Sequence, residues 1–252
     1  PAFGVAEDDL KCLVRGELID WGSPFSQVME TCRTLRNQVQ FSDRTPLMAV
    51  LLEGVPNCGK TAIIAKLATE SSIPYIRIIS PETLLGYDER QKCDNIQKVF
   101  EDAYKCDCGM ILLDNIERLL EYVPIGPRFS NAILQCLQIL VKQIPKKDNS
   151  KLIVLATTSN LGMMEDMDFK HAWNVILKVP QLTKIEEVER VFSELDGSMT
   201  PVEISELAAV IPLPIPIKQL LMLTEMAKQQ PDSSKGAGKL TKDNLVTSVR
   251  NS

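Results

Sequence analysis

Gly54-Val55-Pro56-Asn57-Cys58-Gly59-Lys60-Thr61 decides the reading of this sequence. The stretch fits the spacing G-x-x-x-x-G-K-[ST]. It stands between an apolar run, Leu47-Met-Ala-Val-Leu-Leu-Glu53, and good helix formers from Lys60 to Ser71. A strand–loop–helix of this kind is built to hold phosphate. Its glycines let backbone N–H groups approach an anion, and the helix N-terminus behind them carries partial positive charge. Lys60 is expected to reach the β- and γ-phosphates of ATP, and the Thr61 hydroxyl to ligate magnesium. Pro56, Asn57, Cys58, Gly59, Ala62 and Ile63 complete the expected nucleotide contacts.

The flanking sequence alternates strand and helix signals. Tyr75-Ile-Arg-Ile-Ile-Ser80, Met110-Ile-Leu-Leu-Asp114, Leu152-Ile-Val-Leu-Ala-Thr-Thr158 and Val175-Ile-Leu-Lys-Val179 are short, apolar and partly β-branched. Between Glu89 and Lys105, Ile96, Val99, Phe100, Ala103 and Tyr104 recur at helical spacing. Ile133, Leu134, Leu137, Leu140, Val141 and Ile144 do the same further on. The expected fold is an α/β phosphate-loop domain over residues 1–180, a five-stranded, mostly parallel sheet flanked by helices. After Pro180 helical patterns take over, at about 184–196, 201–210, 216–230 and 241–250, with a polar loop at Pro231–Gly238. Residues 181–252 are therefore expected to form a small all-helical lid.

Composition narrows the function classes. Hydrophobic residues make up 44% and charged ones 24%, as in soluble globular proteins. No apolar run is long enough to cross a bilayer, and no charged-then-apolar leader opens the chain. The opening Pro1-Ala2-Phe3-Gly4 lacks an initiator methionine, so a piece of a longer protein is expected. A net charge of -5 weighs against non-specific nucleic-acid binding, which needs clustered cations. Seven cysteines, an odd number, do not read as a disulfide framework, and a reducing cytoplasmic setting is expected. Cys106-Asp107-Cys108 has no second pair nearby and His171 is the sole histidine, so a solvated loop is expected there rather than a zinc site. Cys58, at a helix N-terminus, is expected to be a reactive thiol; the alternative is a small buried residue.

Asp114, ending an apolar strand downstream of a phosphate loop, is expected to hold magnesium beside Thr61. Together with the polar strand end Thr157-Thr158-Ser159 and the helical C-terminal part, these features resemble the AAA ATPase family. Specific stretches point to one branch: Ser42-Asp-Arg-Thr-Pro46, Lys98-Val-Phe-Glu-Asp-Ala-Tyr-Lys105, Asn115 to Asn131, and Ile217-Lys-Gln-Leu-Leu-Met-Leu-Thr-Glu-Met226. They are similar to the second ATPase domain of the N-ethylmaleimide-sensitive factor family, hexameric machines that separate SNARE complexes. The likeness runs from Pro1 to about Met226 and is loose beyond.

The resemblance implies roles residue by residue. Gly16, Ile19, Asp20 and Trp21 lie in the segment that packs against adenine in the family. Ser159 stands where a polar γ-phosphate sensor is found, and Lys218 at the place of a second sensor. Arg128 is a further cation, expected near a subunit boundary. Lys142 and Lys151 are candidates to reach a neighbouring subunit's site. The stretch Met167–Asn174, where the family's trans arginines stand, has none. Asn115 is the informative departure, because many relatives carry Glu there to polarise the attacking water. An amide orients water but cannot take its proton. Glu117 could substitute, although the strand–helix junction is expected to point it elsewhere, as a solvated helix residue.

Three functional readings follow. In the first, ATP and magnesium hold a homo-hexamer together with weak or no hydrolysis, and SNARE complexes and their adaptor are engaged through other domains. In the second the domain is an active protein-remodelling ATPase. In the third it is a monomeric phosphate-loop enzyme such as a kinase.

Overall fold

The computed structural model describes residues 18–42, 44–126, 128–147, 149–197, 199–229 and 240–250. The chain divides into two compact units. One is built around Val28–Gly54 and Lys60–Lys178; the other comprises Ile19–Gln27, Val55–Gly59 and the chain from Val179 onward.

The first unit holds five strands: β1 (Leu47–Glu53), β2 (Tyr75–Ile79), β3 (Cys108–Leu113), β4 (Lys151–Thr158) and β5 (Val175–Lys178). They form one sheet in the order β2-β3-β4-β1-β5, and every pairing is parallel. Residues 48–52 of β1 and 109–113 of β3 are buried without alternation, because a parallel sheet is covered on both faces. The sheet is central rather than half-solvated, and its strands therefore read as continuous apolar runs. All five C-terminal strand ends lie along one edge, which sets Gly54, Asp114 and Ser159 as neighbours in the topology.

Helices supply the cover. In chain order they are α1 (Ser23–Phe41), α2 (Lys60–Thr69), α3 (Glu89–Lys105), α4 (Ile116–Leu119), α5 (Asn131–Lys142) and α6 (Leu161–Asp166). The start of α3 is written in the sequence as a capping box. The Asp88 carboxylate accepts from Gln91 N–H, and the Gln91 side chain returns the bond to the Asp88 backbone. The Ser130 hydroxyl caps α5 by accepting from Ile133 N–H. Ile96, Phe100 and Ala103 of α3 and Ile133, Leu137 and Val141 of α5 pack with Ala49, Leu51, Ile111, Leu113, Val154 and Ala156 of the sheet.

The second unit contains α7 (Ile185–Leu195), α8 (Pro201–Ala208), α9 (Ile217–Gln229) and α10 (Lys242–Arg250). Thr200 opens α8 with a second capping box to Glu203, and Pro201 takes the first turn, where its missing N–H costs nothing. Leu182 and Ile215 exchange backbone hydrogen bonds of 2.9 and 3.0 Å, which closes the stretch that holds α7 and α8 at its two ends. No helix among the described residues is long and apolar enough to cross a membrane.

Three expectations need correction. α1 was not anticipated, although Phe25, Val28, Met29, Cys32 and Val39 are buried along it at helical spacing. The third strand starts at Cys108 and stops at Leu113, which leaves Asp114 just outside it. Ile144 lies beyond the end of α5 and is exposed, because the chain leaves the helix at Gln143.

These packing roles predict a graded response. Leu137→Ala should destabilise the chain by about 2–5 kcal/mol through loss of buried volume, and Asp88→Ala by about 1 kcal/mol through loss of the cap. Denaturant midpoints at constant slope check both values.

Candidate functional site

The candidate site grows from the C-terminal edge of the first unit's sheet. Lys60, at the start of α2, is only 6% exposed, and its Nζ donates to the Gly54 carbonyl at 2.8 Å. A lysine buried to this degree is held by specific partners and is not a solvated surface cation. Thr61 follows, and its hydroxyl donates to Asp114 Oδ1 at 2.8 Å. Asp114 is 4% exposed. Its Oδ1 also accepts from the Thr157 hydroxyl at 2.7 Å, and its Oδ2 from the Asn115 amide at 3.0 Å. The phosphate-loop threonine and the strand-end carboxylate predicted from sequence are therefore in direct contact.

This donor set suits magnesium. A hydroxyl oxygen and a carboxylate are hard ligands, and magnesium binds one or two such groups together with substrate phosphates and water. Among the described residues no cluster of three His, Cys, Asp or Glu side chains could hold a metal on protein ligands alone. The Thr61 hydroxyl and Asp114 carboxylate fit an ion that arrives with a phosphate. Cys106 and Cys108 are free, half-buried thiols and Cys108 opens β3, which corrects the expectation of a solvated loop there.

Asn115 sits in the left-handed region at φ 53, ψ 64, a conformation that Asn tolerates better than most side chains. Its backbone N–H donates to the Thr157 hydroxyl at 2.8 Å, and its side-chain amide faces Asp114. The position where a carboxylate would polarise water is thus filled by a donor. Glu117 points toward the end of β4 instead of solvent. Its Oε2 accepts from the Thr158 hydroxyl at 3.0 Å and its Oε1 from Ser159 N–H at 3.1 Å. The expectation of a solvated helix residue is corrected: both oxygens are engaged by the strand end.

In the second unit, the middle of the phosphate loop meets the start of α9. Asn57 and Gly59 have φ of 69° and 91°. At Gly59 this conformation strains any L side chain, and a Cβ there would also touch Ile217 at 3.5 Å. The Asn57 carbonyl accepts from Lys218 N–H at 3.0 Å, so Lys218 is anchored beside the loop by its backbone while its side chain is exposed. Ile217, directly before it, is a loop contact that motif reading missed.

Asp20 accepts from Gly22 N–H at 2.9 Å and from the Ser26 hydroxyl at 3.0 and 2.9 Å, which shapes the entry into α1. The Trp21 ring is 1% exposed and lies 5.9 Å from Phe25, so the indole serves packing within its own unit. Ile19 is half-buried, and Gly16 lies outside the described residues.

The distant cations are placed differently. Lys151 opens β4, about 23 Å along the strand from Thr158, and its Nζ donates to the Gln40 carbonyl at 3.1 Å. Lys142 closes α5, where Tyr104 OH bonds the Leu140 and Gln143 carbonyls, and is exposed. Both belong to the end of the sheet opposite Asp114. Arg128 is exposed and pairs with Val123 through two backbone bonds of 2.9 and 3.2 Å.

Residues 50–172 match the family described as ATPase family associated with various cellular activities (AAA). The chain is 44% identical over 230 residues to a vesicle-fusing ATPase of Dictyostelium discoideum, covering 91% of this chain and 31% of that protein. It is 42% identical over 230 residues to a vesicle-fusing ATPase of Arabidopsis thaliana, covering 91% and 30%. It is 35% identical over 236 residues to the vesicular-fusion protein SEC18 of Saccharomyces cerevisiae, covering 92% and 31%. The chain thus spans less than a third of the length of these relatives.

The burial of the thiols overturns the reactive-cysteine expectation. Cys58 is 1% exposed, and alkylation requires access as well as thiolate. Burial raises the thiols of the half-exposed Cys93, Cys106 and Cys108 above their ordinary value and pushes Cys136 up to about 12. At neutral pH these groups are protonated, and their thiolate fraction grows only as pH climbs past the usual thiol range. Brief maleimide treatment at pH 7 should leave Cys58 unmodified, and labelling of Cys93, Cys106 and Cys108 should accelerate toward pH 10. Peptide mass mapping across pH checks both outcomes.

Proposed function

This chain carries an AAA-family ATPase domain, and on that premise we propose that it binds ATP with magnesium and uses the bound nucleotide mainly to hold a ring of six copies together. One observation carries the reading: a complete set of binding groups, Lys60, Thr61 and Asp114, stands beside an Asn115 amide that donates to Asp114. Lys60 would neutralise the outer phosphates, and its burial strengthens that interaction. Thr61 and Asp114 would hold magnesium, which supplies charge neutralisation on the phosphates. Ser159, at the end of β4, would contact the γ-phosphate, and by the family resemblance Lys218 would act as a second sensor.

Hydrolysis needs more. A water that attacks the γ-phosphate must be oriented and must lose a proton, and general-base assistance is worth roughly 10²–10⁴ in rate. Asn115 has no proton-accepting capacity at neutral pH. Glu117 has both oxygens committed to Thr158 and Ser159. Arginines supplied in trans contribute about 10³–10⁵ in related chemistry, and the stretch after β4 that would supply them, Met167–Asn174, contains no arginine. Turnover is therefore weak. Binding alone still favours the assembled state, because a ligand that prefers the assembly stabilises it by linkage. Lys142 and Lys151, remote from Asp114 in their own chain, have their role at a neighbouring copy's site.

By likeness to the vesicle-fusing ATPases, the parent protein would separate SNARE complexes in the cytoplasm, engaging them and their adaptor through its other domains. The rival reading, an active remodelling ATPase, requires a base that neither Asn115 nor Glu117 provides. The test is sizing by light scattering with and without ATP and magnesium. The wild-type chain should shift toward a hexamer with nucleotide, with turnover below about one per second per site, and Lys60→Ala should abolish the shift. A monomer under all conditions would sink the assembly reading.

A further inference from the structure

We propose that Glu117 is a positioning residue: its carboxylate sets the backbone at the end of β4 so that Ser159 meets the γ-phosphate, making the site's preference for ATP over ADP depend on Glu117. The inference rests on the nucleotide reading above and assigns Glu117 a part in it other than proton transfer.

The argument is geometric. A β-strand fixes its own direction through ladder bonds, but β4 leaves the ladder at Thr158, its last register partner being Glu53. Beyond that point Ser159 needs another anchor, and Glu117 supplies it. One carboxylate oxygen accepts Ser159 N–H at 3.1 Å, and the other accepts the Thr158 hydroxyl at 3.0 Å. The Thr158 oxygen in turn accepts Asn160 N–H at 3.1 Å, and the Asn160 side chain caps α6 by accepting from Met163 N–H at 3.0 Å. The chain from the end of β4 into α6 is thus pinned at successive residues, with Glu117 the charged member.

Glu117 is itself held in place from β3. Asn115 N–H and Asp114 Oδ1 both bond the Thr157 hydroxyl, at 2.8 and 2.7 Å, which ties the Asp114–Glu117 turn to β4 one residue earlier. Magnesium-side and γ-phosphate-side groups therefore share one frame.

The experiment measures ATP and ADP affinities on the full chain by calorimetry for wild type, Glu117→Ala, Glu117→Gln and Ser159→Ala. Glu117→Ala should lose about tenfold in ATP affinity with ADP affinity unchanged, which also certifies that the variant is folded. Glu117→Gln should keep the wild-type ratio, because its amide can accept from Ser159 N–H and donate to the Thr158 oxygen. Combining Glu117→Ala with Ser159→Ala should cost little more than either alone, since both remove one contact. An unchanged ATP-to-ADP ratio in Glu117→Ala overturns the proposal. So does a Glu117→Gln variant as impaired as Glu117→Ala, which would assign the effect to charge. If Ser159→Ala leaves the ratio unchanged while Glu117→Ala lowers it, the sensor reading of Ser159 fails and the positioning role falls with it. If the wild-type chain itself binds ATP no better than Lys60→Ala, the nucleotide reading fails and the proposal falls with it.

Discussion

The buried carboxylate of Asp114 is the interaction on which the rest of the site depends. A charge removed from water is tolerated only where hydrogen bonds replace its hydration, and Asp114 receives three: Thr61 from the phosphate-loop helix, Thr157 from β4 and the amide of Asn115. These bonds bring the ends of β3 and β4 and the start of α2 together. The parallel sheet order makes this possible, because β3 and β4 are neighbours and every strand ends on the same edge.

On the proposed reading, the same bonds separate binding from turnover. A site that neutralises phosphate charge needs Lys60, a hydroxyl and a carboxylate, all present within short distances. A site that cleaves the γ-phosphate also needs a free acceptor for a water proton. Here the residue after Asp114 is a donor, held in a left-handed conformation that suits Asn, and its amide is turned inward to Asp114. The next carboxylate along the chain, Glu117, is committed to the backbone of β4. On the proposed reading, weak hydrolysis is thus a matter of geometry as well as composition.

Much of this was legible in the sequence for physical reasons. The phosphate loop and the apolar strands are local signals, and the strands were read to within about two residues. The helices after Pro180 were visible from their periodicity. Long α1 went unread because Arg33, Arg36, Asn37 and Gln38 interrupt its apolar spacing, and only burial of Val28, Met29, Cys32 and Val39 reveals the face. Partners across the sheet were not legible at all. Nothing near Thr157 or Glu117 in the chain says that β3 and β4 are adjacent, so the Thr157–Asp114 and Glu117–Ser159 contacts emerge only from topology. Cys58 failed for a related reason, since a helix N-terminus says something about a thiol's acidity and nothing about its access.

The most direct test of the central claim is the chemical fate of bound ATP. The chain is loaded with ATP and magnesium, separated from free nucleotide, and the bound species is identified by chromatography over time. The account predicts that ATP persists on the assembled protein for many minutes, while Asn115→Glu, which restores a carboxylate beside Asp114, converts it to ADP faster. Rapid conversion to ADP by the unmodified chain, at about one per second or more, would contradict it.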